Sequence, residues 1–542
     1  MQNRVTRLAS FSLALVLVAA TISEGATPKV STLPKSQRYR GPLILKPSDV
    51  VTTWTMPNLC AAYKFPKNLT GGAVIGIAEF GGGYFPSDLT LFSKTYMNGT
   101  AINVQAISVD GTTNQPGVDP DVDGEVALDI QIAAAAYYYC TGKAPTIKVF
   151  FCDQGFTGDD FVNNNAKVIT AAAAAGCDVL SISWGIPEDG IASNTSALNL
   201  EAAAVAASAK GMAIFCSSGD GDATDERQGE SDGLNHVSLP SSCPHIISVG
   251  GTTKTTTSEV VWNNGFSLGT SYPLGTGGGY STIFPTQSFQ VGAPKPPSTN
   301  NGLGRMCPDV AANADPNTPY DIAFYGTIQG AGNGTSAASP LWAGLVAASG
   351  KKLGFISPTL WATANRKAFL DITQGNNGLF TAAVGPDACT GLGAPIGTSI
   401  ATVLLPPAPP KVASNVTAVY NAGTKTLTLT GDANANSLTI TYQVGTLTVE
   451  GANATTINNT SSFTQAMTGQ VILNINMGDG DDAISLIGVN SSTATVAMGA
   501  GNDKAAFTLC NITTLNFDGG AGTDTLLSTS SVVGTFNKTN YP

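Results

Sequence analysis

Three short stretches hold residues whose types and spacing could do chemistry. In GNGTSAASP (332–340), Ser336 stands among small residues with a proline four positions on. A serine hydroxyl is a poor nucleophile until a base takes its proton, and the usual base is histidine. The chain has 2 histidines in 542 residues, His236 and His245, and both read as structural. Carboxylates are the remaining candidates. DGEVALDIQ (123–131) sets Glu125 and Asp129 four apart in a helical stretch, so the two share one helix face. Carboxyls in contact resist double ionisation and share a proton in mild acid. One can then accept a serine proton while the other holds it in place. Most such pairs line a solvated face. Here Val126, Ala127, Leu128, Ile130 and an alanine run surround the pair, which argues for a buried helix where unpaired carboxylates are costly. In SSGDGD (217–222), Asp220 follows the apolar run GMAIFC. It therefore falls at a strand's C-terminal end, where open α/β sheets place their sites.

The elements that must position these groups alternate along the chain. AVIGIAEF (73–80), TIKVFFC (146–152), DVLSIS (178–183), GMAIFCSS (211–218) and HIISVGG (245–251) read as short strands. Between them GEVALDIQIAAAAYYY (124–139), DDFVNNNAKVITAAAAAG (159–176) and LNLEAAAVAASAKG (198–211) carry helical periodicity. Such alternation predicts a mostly parallel sheet covered by helices on both faces. This α/β domain spans 56–404. A Pro-rich linker (405–410) follows, and then a separate all-β domain (411–542) built of period-two segments.

That all-β domain carries GDGDD (478–482), GAGND (499–503) and GAGTD (520–524), a G-x-G-x-D form repeated at a spacing of 21. The form resembles the calcium loop of nonapeptide β-rolls, which would make Asp482, Asp503 and Asp524 calcium ligands. The period of 21 is not a multiple of nine, and Gly/Asp clusters also make plain turns between strands.

The N-terminus has a basic start (Arg4, Arg7), an apolar run (Phe11–Ala20) and small residues at Ser23 and Gly25. It reads as a secretory signal peptide (1–25), followed by a short linker (26–55). The apolar run is too short to span a membrane. Export implies disulfides among the 9 cysteines, with at least one left over. There is no CxxC pair to suggest zinc. Sequons occur at Asn68, Asn98, Asn194, Asn415, Asn453, Asn511 and Asn333, the last too near Ser336 for a glycan to be compatible with a nucleophile there. With 37 acidic against 26 basic residues, nucleic acid and anionic membranes are poor partners.

As a set the motifs resemble the sedolisins, the serine-carboxyl peptidases, and within them the kumamolisin type. The likeness runs through VIGIAEFGGGYF, DGEVALDI, SISWGIPEDG, SSGDGDATDE, LPSSCPHIISVGGT, GGGYSTIFP, PDVAANADP, GNGTSAASPL, FLDITQGNNG and GPDACTGLGAPIG, in order and spacing. The resemblance implies a subtilisin-like fold, with Ser336 as nucleophile, Glu125 as base, Asp129 orienting Glu125, and Asp220 donating into the oxyanion hole. It also implies Glu79 and Trp184 as supports of the Glu/Asp pair. It implies one Ca2+ held by Asp371, the Ile372 carbonyl, the Ala383 and Gly385 carbonyls and Asp387. Alanine stands at 383 where the family usually has glycine, and Pro386 where it has tryptophan.

The expected protein is a secreted, monomeric, acid-active endopeptidase acting on proteins or peptides, working outside the cell or in an acidic compartment. A tripeptidyl exopeptidase on the same fold, and a catalytically silent adhesion protein, are the alternatives. About 30 residues between leader and catalytic domain are too few for the family's usual prosegment. The β domain is expected to bind a surface, glycan or partner.

Overall fold

The computed structural model describes residues 53–225, 233–266, 273–296, 304–405, 413–443 and 445–540. The signal-peptide segment, most of the N-terminal linker and 406–410 of the Pro-rich linker lie outside these residues. The chain divides between residues 406 and 407 into two compact units.

In the first unit seven parallel strands form the central sheet: β1 (Val74–Glu79), β2 (Asn103–Ser108), β3 (Thr146–Phe151), β4 (Val179–Ile182), β5 (Ala213–Ser217), β6 (Ile247–Lys254) and β7 (Val310–Asn313). Their order across the sheet is β7-β6-β5-β4-β1-β3-β2, with a short antiparallel strand, Glu259–Val261, added to the end of β6. β4 and β5 are buried throughout, because helices cover both faces, which is why they read as unbroken apolar runs. One face packs against α1 (Pro120–Thr141) and α4 (Thr335–Ala347), the other against α2 (Gly158–Ala174) and α3 (Asn194–Ala209).

Helix α1 starts four residues earlier than the periodicity predicts. Asp119 caps it by accepting the N–H groups of Asp121 and Val122, and Pro120 occupies the first turn. Gly142, in the left-handed region, ends it. The helix is buried on nearly every side, so its apolar residues form no stripe. Its alanine run exists for close contact. A side-chain carbon at Gly344 of α4 would lie 2.5 Å from the Ala133 carbonyl and 2.8 Å from the Ala136 side chain. The two helices that carry the candidate groups therefore meet almost backbone to backbone.

Two expectations are corrected. Trp54, assigned to the linker, belongs to the first unit. It is 5% exposed, bonds through its indole N–H to the Lys254 carbonyl, and pairs with Tyr320. The cysteines form no disulfides: all nine are buried free thiols. They sit within packed helices, strands and turns as small apolar side chains.

The second unit opens with antiparallel strands between 414 and 466 and continues from 471 as a coil of stacked parallel strands. β8 (Val471–Asn476), β10 (Asn490–Ala497), β12 (Asn511–Asp518) and β14 (Val532–Thr539) lie parallel in one sheet. β9 (Ala483–Ile487), β11 (Lys504–Thr508) and β13 (Thr525–Thr529) lie parallel in the other. Asn474, Thr495, Asn516 and Asn537 are successive partners in register, so the spacing of 21 is one full coil of two strands and two turns. The G-x-G-x-D turns stack on one another. Asp503 Oδ1 accepts the Asp482 N–H at 2.7 Å, and Asp524 Oδ1 accepts the Asp503 N–H at 3.0 Å. The three aspartates thus form a buried column that ties coil to coil. Burial first, and the neighbouring Asp503 and Asp432 after it, push Asp482 up to about 7 against the bonds it accepts. At the last coil Ser528 and Lys538 replace the core positions of Phe507 and Phe517, so the column of apolar side chains ends in polar ones.

Candidate active site

The C-terminal ends of three strands and the tops of two helices bring the sequence-predicted groups together. Glu79 is the last residue of β1, Trp184 follows β4 by two residues, and Asp220 follows β5 by three. Glu125 and Asp129 lie on one face of α1, and Ser336 sits in the first turn of α4. Ser336, Glu79 and Asp129 are 0% exposed, Asp220 2% and Glu125 3%.

Glu79 accepts the Trp184 indole N–H at 3.0 Å, and Asp129 accepts the Ser183 hydroxyl at 2.8 Å. Ser183 and Thr335 have no place in the sequence reading, although alternation in SISW and adjacency to Ser336 were visible signals. Thr335 fixes Asp220: its backbone N–H and its hydroxyl both donate to Oδ1, at 2.8 and 2.7 Å. The Thr335 hydroxyl in turn accepts the Gly219 N–H at 3.1 Å. Asp220 Oδ2 lies against the nucleophile loop. A side-chain carbon at Gly334, whose φ is +81°, would come within 2.6 Å of it. The glycine before Thr335 is therefore required by both its backbone and its neighbour.

Burial pushes Glu125 well above the usual carboxylate range, and the Asp129 charge adds to it. A bond with the Ser336 hydroxyl opposes the rise, while Glu79 and Asp220 reinforce it. Glu79 is raised by burial and by Asp129, against the Trp184 bond. Asp129 is raised by burial, against the Ser183 bond. Among the described residues no cation contributes to these influences, so each ionisation in the cluster opposes the next.

The histidines are committed elsewhere. His245 pairs with Glu201 of α3 at 2.5 Å and stacks on Phe355, and His236 faces Asp189 at 3.7 Å. Asn333 is 1% exposed and bonds the Ala331 carbonyl, which leaves no room for a glycan.

The residues assigned to calcium form a second cluster. Asp371 accepts the Gly385 N–H at 2.8 Å, and Asp387 accepts the Ala383 N–H at 3.0 Å. Both carboxylates therefore flank the 383–385 turn. Gly385 has a φ of +87°, whereas Ala383 has no left-handed strain, so alanine is tolerated there. Asp371 and Asp387 are hard oxygen donors of the kind Ca2+ takes, and the carbonyls of 372, 383 and 385 would complete the set. Asp482, Asp503 and Asp524 take no part in either cluster and remain in the column of the second unit.

A parallel sheet with helices on both faces, and a serine at the head of a helix over its C-terminal edge, define the subtilase class of fold. Residues 121–368 match the Subtilase family. The chain is 39% identical to kumamolisin of Bacillus sp. (strain MN-32) over 387 residues, 67% of this chain and 65% of kumamolisin. The solved structure of Pseudomonas sedolisin, a serine-carboxyl proteinase complexed with two molecules of pseudo-iodotyrostatin, superposes with a TM-score of 0.55 at 25% identity. The match covers 65% of this chain and 97% of that one. The chain is similar to the sedolisin family, and within it to the kumamolisin type. Tripeptidyl-peptidase sed1 of Aspergillus fumigatus is also similar, 33% identical over 193 residues, 29% of each chain. The chain thus spans just under two thirds of kumamolisin and less of the shorter match.

Proposed function

We propose that this chain is an exported, acid-active serine-carboxyl endopeptidase that cleaves peptide bonds through Ser336. The observation that carries the reading is one buried serine ringed by Glu125, Asp129 and Asp220, with both histidines engaged elsewhere. The Ser336 Oγ attacks the scissile carbonyl carbon as its proton passes to Glu125. The carbonyl oxygen becomes the oxyanion and accepts a bond from the Asp220 carboxyl. Two donors occupy Oδ1, so Oδ2, beside the nucleophile loop, is the oxygen that carries the proton. Glu125 then hands its proton to the leaving nitrogen, the C–N bond breaks, and an acyl ester remains on Ser336. Water, deprotonated by Glu125, attacks that ester and releases the acid, and the proton returns to Ser336. Asp129 holds Glu125, and Glu79, fixed by the Trp184 indole, lies beside Asp129 and opposes loss of a second proton from the cluster.

Cleavage of a substrate blocked at its N-terminus tests the endopeptidase assignment. A blocked internal peptide and its free-amine counterpart are expected to be cut at comparable rates, with fragments read by mass spectrometry. The similarity to tripeptidyl-peptidase sed1 favours one other reading. Release of tripeptides from the free-amine substrate alone would establish it.

A Ca2+ ion between Asp371 and Asp387 would brace the 383–385 turn and supply no step of the chemistry. Chelation is expected to lower the melting temperature by several degrees, in line with losing a ligand that binds only the folded state. Asp387→Ala should melt lower still and lose the response to added calcium. A chelator-insensitive wild-type melting curve would remove the ion from the account.

A further inference from the structure

Two hydroxyls from β4 and its extension face the nucleophile helix. Ser181 and Ser183 are two apart and share one side of the strand. Ser336 and Ser339 are three apart and share one side of α4. The Ser181 and Ser339 hydroxyls meet at 2.9 Å, and the Ser183 hydroxyl lies 3.3 Å from the Ser336 carbonyl oxygen. The helix cannot satisfy that carbonyl in the ordinary way, because the residue four positions on is Pro340, which has no N–H. The Ser183 hydroxyl has one hydrogen and a nearer acceptor in Asp129 Oδ1, at 2.8 Å. Its backbone carbonyl lies 3.4 Å from the Ser336 Oγ.

We infer that Ser183 is a positioning residue of the proposed reaction, its hydroxyl holding Asp129 against the turn that carries Ser336, while Ser181 anchors the next turn without touching a carboxyl. The inference rests on Glu125 and Asp129 being base and partner. The titratable groups facing Asp129 are Glu125 on its own helix, Glu79 on β1 and Cys216 on β5. Helix α4 and strand β4 contribute no charged side chain. With no cation facing Asp129 among the described residues, the Ser183 donor is what favours the singly ionised pair from the Asp129 side. Its removal makes the first proton harder to lose, so the acid limb of activity moves to higher pH.

Activity on a blocked internal peptide is measured between about pH 3 and 8, with melting temperatures, for wild type, Ser183→Ala, Ser183→Cys and Ser181→Ala. Ser183→Ala is expected to raise the midpoint of the acid limb by about one pH unit, the size of a hydrogen bond to a charged group. Its kcat should fall with little change in KM. Ser183→Cys, with a weaker donor of similar shape, should move the limb the same way by less. Ser181→Ala should lower the melting temperature and leave the limb in place. An unmoved limb in both Ser183 variants, or an equal shift in Ser181→Ala, overturns the inference and leaves the peptidase reading intact. A wild-type chain that shows no acid-limited cleavage overturns that reading and this inference together.

Discussion

Glu125→Gln is expected to lower kcat on a blocked internal peptide by about 10⁴-fold, the upper range for loss of a positioned general base. Ser336→Ala should lower it further, by about 10⁶-fold, as removal of a nucleophile does elsewhere. Glutamine keeps the shape of the buried side chain and removes its basicity, so the loss reports chemistry rather than packing. Its effect should not be additive with Ser336→Ala, because serine and base act as one unit. The double variant is expected to be no slower than Ser336→Ala alone. Gains in melting temperature are expected for Glu125→Gln near neutral pH, since it removes a carboxyl whose ionisation is opposed by burial and by Asp129. A Glu125→Gln enzyme with near wild-type kcat would place the base elsewhere.

Asp220→Ala is expected to cost about 10²- to 10³-fold in kcat, the usual size for loss of one oxyanion donor. Asp220→Asn should cost less, since its amide can accept the two Thr335 bonds on one atom and donate from the other. The two variants also differ in pH dependence. A carboxyl donates only while protonated, so wild-type activity must fall as pH rises through its titration. An amide donates at every pH, so the alkaline limb of Asp220→Asn should move toward neutrality. Equal kcat losses in both variants, with an unshifted limb, would assign Asp220 to packing instead.

The direction of the acid requirement follows from the cluster. Burial and mutual repulsion hold Glu125, Asp129 and Glu79 above the ordinary carboxylate range. A group whose folded pKa is raised contributes stability that is fully present below its unfolded value. That contribution is lost as pH rises through the folded value. The protonated cluster therefore favours folding in acid, and full ionisation near neutrality works against the fold as well as the reaction.

Much of this was legible in the sequence because the chemistry sits on short local patterns. An i,i+4 carboxyl pair inside an apolar helix, an aspartate just past an apolar run and a serine among small residues each declare their place in a parallel sheet. Ser183 was harder to find because its acceptor, Asp129, lies 54 residues back on a helix that only the fold brings against it. Trp54 escaped for a similar reason: its partners, Lys254 and Tyr320, come from distant segments. The cysteine count suggested cross-links, but disulfides need specific geometry that spacing alone does not encode. The period of 21 announced a repeat. That one period makes a whole two-strand coil, with aspartates that accept backbone N–H groups of the preceding coil, emerged only from the strand register.

The most direct test of the central claim is the pH dependence of kcat/KM for the wild-type chain on a blocked internal peptide, run beside Glu125→Gln. The account predicts a maximum in acid and a decline toward neutrality, with the whole profile collapsing in Glu125→Gln. A rate that climbs to a plateau above about pH 7, as a histidine base gives, and that persists in Glu125→Gln, would contradict it.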